Sequence, residues 1–475
     1  FPIHAKNRYN TTMKFDENDQ IEYLPNGIKH ESAGGFVFFE DDKTHELFVA
    51  LLRKPDGHYL IPKGHVRKGE ETKDAAVREV MEELILKENP EIISFLKIDS
   101  YTFTLDDSNV THHKNVHVYV FRLNKKADIK PQIDEGFEAA EWIPFEKAVE
   151  KISFDRENLL KARQCFYYNK PVKAFKDLTD IKSLTIAIST HNGEFTISKT
   201  LKSLTENLQE IGDFLKKEVL VCADHCTDNT ISVVDNFIKS NKLDDIQFHL
   251  ISNDNAKGKS NALNKIFSAS SGELFCAVDD DVILKEKSLI NLMRALVEEE
   301  SLRCVFSAWK RLPFQSKNPW KLFWHWILGI KFEVNETSEI MRGATMMLRR
   351  DNFVYLPAVL NEDQFLQYMY WPQTKEVKDS VIYFNSVSSI SDYYRRFIRI
   401  MVGSKQLSKY LAKNRIDECS RALFQKLEYH RILRLPWKLK GPFLFYRFIR
   451  FCISLYVNLK IKFIDDYEWF RFKQN

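Results

Sequence analysis

At 475 residues the chain is long enough for two to three domains. A hydrophobic fraction of 44% beside 29% charged residues excludes a disordered chain, and a net charge of +4 is too small to argue for nucleic acid. Seven cysteines without a CxxC pair argue for a reducing, cytoplasmic setting, and no uninterrupted apolar run approaches the ~20 residues of a membrane span.

Residues 31–150 alternate β-like runs, "GGFVFFE", "ELFVALL" and "VHVYVFRL", with one strongly helical pattern at 72–86. In that helix Val77, Val80 and Leu84 form an apolar stripe, and Glu79, Glu82 and Glu83 are expected on the opposite side. Like charges three and four apart on a helix repel by about a few tenths of a kcal/mol per pair. Either the face is simply solvated or a cation sits there. The glycine-punctuated loop "PKGHVRKGE" delivers Glu70 just ahead of the helix, and Arg78 stands beside Glu79, able to hold an acidic partner such as Glu70. Clustered carboxylates together with substrate phosphates are what Mg²⁺ prefers, because it dehydrates reluctantly and keeps several waters.

These residues resemble the Nudix box, G-x5-E-x7-R-E-U-x-E-E-x-G-U, at Gly64, Glu70, Arg78, Glu79, Val80, Glu82, Glu83 and Leu86. Ile85 departs from it, standing where the second glycine is usual, a position that shapes the helix end rather than the metal site. The flanks "SAGGFVFF" and "EWIPFEKA" resemble the opening strand and closing segment of that family. The resemblance implies an α/β/α sandwich with a mixed sheet that hydrolyses a nucleoside diphosphate derivative. Glu79, Glu82 and Glu83 would then bind Mg²⁺ or Mn²⁺, Arg78 and Glu70 would brace the loop, and Glu135 or Glu138 would serve as base or extra ligand. "IPKGHV" is reminiscent of diadenosine polyphosphate hydrolases.

Residues 166–182, containing "KPVKAFKDLTD", read as a linker. Residues 183–300 then repeat a strand–helix rhythm through "LTIAIST", "EVLVCAD", "IQFHLIS" and "ELFCAVD", which implies βαβ units and a parallel sheet. Polar residues close those strands: "STHNGE", "ADHCTDNT", and the triplet Asp279, Asp280 and Asp281. An acidic triplet alone would be a helix-capping turn, but in open α/β sheets ligands bind beyond the carboxyl ends of strands.

Together these segments resemble family 2 glycosyltransferases of the GT-A (Rossmann-like) fold. The resemblance implies that Thr190 and Asp224 line a nucleotide pocket, that Gly258 permits a close turn and that Lys259 meets phosphate. Asp279 and Asp281 match the D-x-D metal pair for Mg²⁺ or Mn²⁺, Asp281 being the direct ligand, with Asp280 on the donor side. "RGATMMLRR" at 342–350 resembles the acceptor-side strand, and "NEDQFL" places Asp363 as the base that deprotonates an acceptor hydroxyl in a single inverting displacement. "RRFIRIMVG" offers Arg396 and Arg399 but lacks the Gln and Trp of the processive Q-x-x-R-W motif, so one sugar is expected per acceptor.

From about 405 onward the chain reads as helices rich in Lys, Arg and aromatics. Residues 431–475 carry ten Lys/Arg against three Asp/Glu, a local +7 that leaves the rest of the chain at −3. This tail reads equally as a packed helix and as one lying in a membrane interface, attracted to anionic lipid at the inner face. "NPWKLFWHWILGI" at 318–330 is open among acceptor groove, lipid contact and core. The expected organisation is 1–165 Nudix, 166–182 linker, 183–410 transferase and 411–475 basic helices. Its partners are a nucleotide-sugar donor, a glycan, lipid-linked or other hydroxyl acceptor, a nucleoside diphosphate derivative, and no nucleic acid. The alternative keeps the transferase and makes the Nudix domain a non-catalytic nucleotide-binding module.

Overall fold

The computed structural model describes residues 16–104, 110–153, 155–241, 245–254, 256–334, 343–424 and 435–461. The chain divides into two compact units, Phe1–Lys170 and Pro171–Asn475.

In the first unit the strands are β1 (Ile21–Leu24), β2 (Gly27–Glu40), β3 (Leu47–Arg53), β4 (Tyr59–Leu60), β5 (Lys63–His65), β6 (Glu91–Thr104), β7 (Thr111–Leu123) and β8 (Ala139–Pro144). They form one mixed sheet in the order β4–β3–β2–β7–β6, with β1 and β5 added to β2 and β8 to β3. The helices are α1 (Thr72–Glu83), α2 (Phe145–Lys151) and α3 (Arg156–Tyr168). Strand alternation explains the sandwich. Along β2, Ala33 and Val37 pack with Ala76 and Val80 of α1, whereas Phe38 points the other way against Phe145 of α2 and Phe166 of α3. Burial falls toward the edge: β6 alternates half-buried with exposed positions and contains no fully buried residue.

In the second unit β9 (Ser183–Thr190), β10 (Lys216–Ala223), β11 (Ile246–Ser252) and β12 (Leu274–Asp279) are parallel, and α4 (Ile197–Glu210), α5 (Thr230–Ser240) and α6 (Lys259–Ala269) connect them. The sheet continues with β13 (Val282–Leu284), β14 (Cys304–Arg311), β15 (Thr345–Arg349) and β16 (Thr374–Phe384), in the overall order β11–β10–β9–β12–β15–β14–β16–β13. The remaining helices are α7 (Ser288–Glu298), α8 (Pro319–Val334), α9 (Glu362–Tyr370), α10 (Ile390–Tyr410), α11 (Lys413–Phe424) and α12 (Trp437–Ile461). This is the Rossmann-like architecture expected. Its register sets Thr190 opposite Ala223, and Asp279 opposite Ser189, so the polar strand ends share one edge.

Residues 171–182 are not a loose linker. Phe175 and Ile181 are buried in the second unit's core, and the buried Arg349 guanidinium donates to the carbonyl of Lys173 at 2.6 Å. All seven cysteines are free thiols. Arg342 of the acceptor-side motif and tail residues 431–434 and 462–475 lie outside the described residues.

Candidate active sites

The first site forms where β5 meets α1. A Cβ at Gly64 would stand 1.9 Å from Glu79 Oε2, so any other residue here would displace the Glu79 carboxylate. Arg78 grips Glu70 bidentately, Nε to Oε1 and Nη2 to Oε2, both at 2.9 Å. Its Nη1 reaches Glu79 at 2.6 Å and Glu82 at 3.2 Å, and Nη2 also meets the His65 carbonyl at 2.9 Å. One guanidinium thus gathers Glu70, Glu79 and Glu82; of these only the Glu70 partner was expected from the sequence.

Glu83 corrects the expectation of a wet acidic face. It lies three residues from Val80 and seven from Ala76, which places it on the buried stripe, and it is 5% exposed. Its carboxylate accepts the Lys63 backbone N–H at 2.7 Å. Burial pushes Glu83 up to about 8 against the pull of Lys63, with Glu79 and Glu135 adding to the rise. Burial also raises Glu79 despite Arg78. Of the two candidate outer acids, Glu135 is the one whose charge reaches Glu79 and Glu83, whereas Glu138 pairs with Arg53 at 3.6 Å.

Among the described residues no three His, Cys, Asp or Glu side chains converge as a closed metal cage. The donor chemistry nonetheless fits a hard divalent cation: carboxylate oxygens only, two of them raised by burial and by neighbouring carboxylates.

Sequence reasoning missed Lys114 on β7. It is paired in register with His30 and buried, and burial together with Lys63 pushes its amine down to about 7, while Glu83, Glu79 and Asp19 pull it up. Strict alternation through "HHKNV" was the available signal: it puts Lys114 on the same face as the buried His112 and Val116.

Ile85 takes φ +51, the left-handed region, directly after the helix. The Leu86 N–H bonds the Met81 carbonyl at 3.0 Å and the Ile85 N–H bonds the Glu82 carbonyl at 3.3 Å, a Schellman ending in which glycine is the usual residue. The exit geometry is therefore kept by a β-branched residue. It then positions 130–132, whose Lys130 and Gln132 N–H groups bond the Leu84 and Glu83 carbonyls.

The second site lies at the polar sheet edge. Lys259, at the start of α6, bonds Asp279 Oδ1 at 2.6 Å and Glu362 Oε1 at 2.5 Å. Burial opposes its charge, but the two carboxylates outweigh burial and raise its pKa. Burial raises Glu362, Lys259 pulls it back, and Asp363 adds to the rise. In this conformation, then, Lys259 meets carboxylates where a phosphate was expected. Asp363, next along α9, is only part-buried and accepts the Gly343 N–H at 2.9 Å. The segment leading into β15 and the start of α9 are thereby joined. Arg396 of α10 lies within electrostatic reach of Asp279 and Asp281.

Three expected donor contacts are turned inward. Thr190 donates to Asp280, and both are buried. Asp224, fully buried, accepts from Asn253 Nδ2 at 2.6 Å and from the Gly258 N–H at 2.9 Å. Gly258 itself has φ +141, a conformation that side-chain-bearing residues rarely adopt. Asp224 therefore fastens the α6 entry turn.

The two sites belong to two known domain classes. Residues 29–162 match the NUDIX domain family, and residues 185–353 match glycosyl transferase family 2. The chain carries one domain of each, fused in that order. Over 131 residues it is 32% identical to the probable glycosyltransferase YdaM of Bacillus subtilis (strain 168), covering 27% of this chain and 30% of that protein. Over 140 residues it is 32% identical to the putative mutator protein MutT4 of Mycobacterium tuberculosis (strain CDC 1551 / Oshkosh), covering 28% of this chain and 53% of that one. The chain thus spans only about a third to a half of these relatives' length. Among solved structures, a mannosyltransferase from Pyrobaculum calidifontis in complex with GDP-Man and Mn²⁺ aligns at 16% identity and TM-score 0.41, over 68% of this chain and 99% of that one.

Proposed function

We propose that the chain is a bifunctional enzyme: a Nudix pyrophosphohydrolase fused to an inverting, non-processive, nucleotide-sugar-dependent glycosyltransferase of cytoplasmic location. The observation that carries the transferase reading is the continuous polar chain Asp279–Lys259–Glu362, with Asp363 beside it at the acceptor-side strand. Asp363 is the base that takes the proton of the acceptor hydroxyl, on a glycan, a lipid-linked sugar or another alcohol. Thr190 with Asp280, and Asp224 with Gly258, hold the strand ends that frame the donor. Lys259 is the cation that shifts from carboxylate to diphosphate when donor enters.

Mg²⁺ or Mn²⁺ would be held by Asp279 and Asp281 in this unit and by Glu79, Glu82 and Glu83 in the other, where it neutralises a diphosphate and activates water. In the Nudix unit Arg78 and Glu70 fix the loop that carries Gly64, and Glu135 is the outer acid that moves the water's proton.

Incubating the protein with a panel of nucleotide sugars and either metal, without acceptor, tests both halves. Cleavage between the two phosphates reports the Nudix unit, and free sugar with nucleoside diphosphate reports the transferase. Glu82→Gln and Glu83→Gln should each abolish the first product and spare the second. Cleavage between the phosphates by the double variant would refute the hydrolase assignment. A silent Nudix unit that still binds nucleotide would leave the alternative, a regulatory module.

A further inference from the structure

The described part of the C-terminal region is a helix with two unlike faces. On α12, Phe443, Tyr446 and Val457 are buried against α8 and α10, joined by a Tyr393–Tyr446 hydroxyl contact at 3.1 Å. The opposite face is bare. Leu444, Phe448, Phe451, Leu455 and Leu459 follow one another at steps of three and four, and all are exposed, Phe448 and Phe451 by more than 60%. Trp437 extends the same stripe by two turns and is 79% exposed. Helix α8 continues the surface: its Trp324 stacks on Phe445 of α12, and its Trp320, Phe323 and Trp326 are exposed. Monomeric soluble proteins rarely expose a contiguous apolar patch of this kind without a partner.

The charges say which partner. Lys438, Lys440 and Arg447 flank the α12 stripe, and α12 contains no Asp or Glu. Aromatic and aliphatic side chains in the middle with cations at the margins is the layout of a helix lying in a bilayer interface. No described helix is long and apolar enough to cross a membrane, and α12 in particular is interrupted by Pro442 and its cations. We infer that α8 and α12 together form a docking surface for an anionic membrane, with the aromatic stripe in the acyl boundary and the cations at the headgroups. The inference does not depend on either catalytic assignment.

The test uses the full chain and phosphatidylcholine vesicles with and without phosphatidylglycerol. The protein should sediment with the anionic vesicles at low salt and be released at high salt, because the attraction is screened. Phe448→Glu with Phe451→Glu should lower the bound fraction by roughly tenfold or more. Arg447→Gln should lower it about fivefold, the contribution of one surface cation. All three positions are exposed, and near-ultraviolet circular dichroism checks that packing is kept. If the paired α12 variant fails to fold, Trp320→Glu on α8 carries the same expectation. Three results would overturn the inference. One is no sedimentation with anionic vesicles at any salt, and another is sedimentation that the stripe variants leave unchanged. The third is a dimer that those variants dissociate without vesicle binding, which would make a second copy the occupant.

Discussion

At Ile85 glycine should be more stable than alanine, the reverse of the order inside a helix. A residue with a Cβ loses about 1–2 kcal/mol in the left-handed region, and Ile85 sits there at φ +51. Glycine avoids that cost but gives back about 0.5–1 kcal/mol through its greater freedom in the unfolded chain. Ile85→Gly should therefore exceed Ile85→Ala by about 0.5–1 kcal/mol. Both variants lose the same half-exposed side chain, so the burial contribution cancels in the comparison. At Lys161, in the middle of α3, the same pair of substitutions should favour alanine by a similar amount. Urea unfolding of the full chain gives the two differences. Hydrogen exchange at Leu86, whose N–H closes the helix end on Met81, localises them. Alanine equal to or better than glycine at 85 would refute the strained-ending argument.

Lys259→Met should strand the buried Glu362 beside Asp279 and Asp363, destabilising the second unit by about 3–5 kcal/mol, read by thermal unfolding, and removing donor binding. Lys114→Met should stabilise the first unit by about a few kcal/mol near pH 7, since a buried amine lowered to about 7 stays behind while the unfolded chain takes up its proton. That gain should fade as pH rises toward the unfolded value near 10.5, where both states lose the proton, and a gain independent of pH would contradict the assignment. Asp281→Ala should weaken metal-dependent donor binding by calorimetry as well as turnover. Asp363→Asn should leave donor binding intact while transfer falls ~10²–10⁴-fold, and normal transfer would move the base to Glu362.

Much of this architecture was legible in the sequence because the strands are apolar runs of the right length. "LTIAIST" and "ELFCAVD" became β9 and β12 to within a residue. The edge strand β6 was missed for the converse reason: "EIISFLKIDSYTFT" has charged and polar residues on both faces, the signature of a half-wet edge. Motif spacing located the Arg78–Glu70 clasp, which is local. It could not show that Lys259 bridges Asp279 to Glu362, a contact between residues 103 positions apart made only by the folded sheet edge. Glu83 was misplaced by treating three neighbouring acids as one face, when the period of 3.6 divides them.

The segment 171–182 decides where the two units can be separated. Arg349, buried beneath the sheet, spends its donors on the carbonyls of Lys173, Leu296 and Leu302 and lays its guanidinium 4.9 Å from the Phe175 ring. Lys173 is tied in turn to Glu273 at 2.6 Å. The second unit thus carries its own N-terminal strap, threaded into its core ahead of its first strand. A recombination joint at Ser183, where the βαβ pattern begins, would strip that strap and leave a buried cation facing a void. A joint at Lys170/Pro171 would let either half be exchanged for a different neighbour whole.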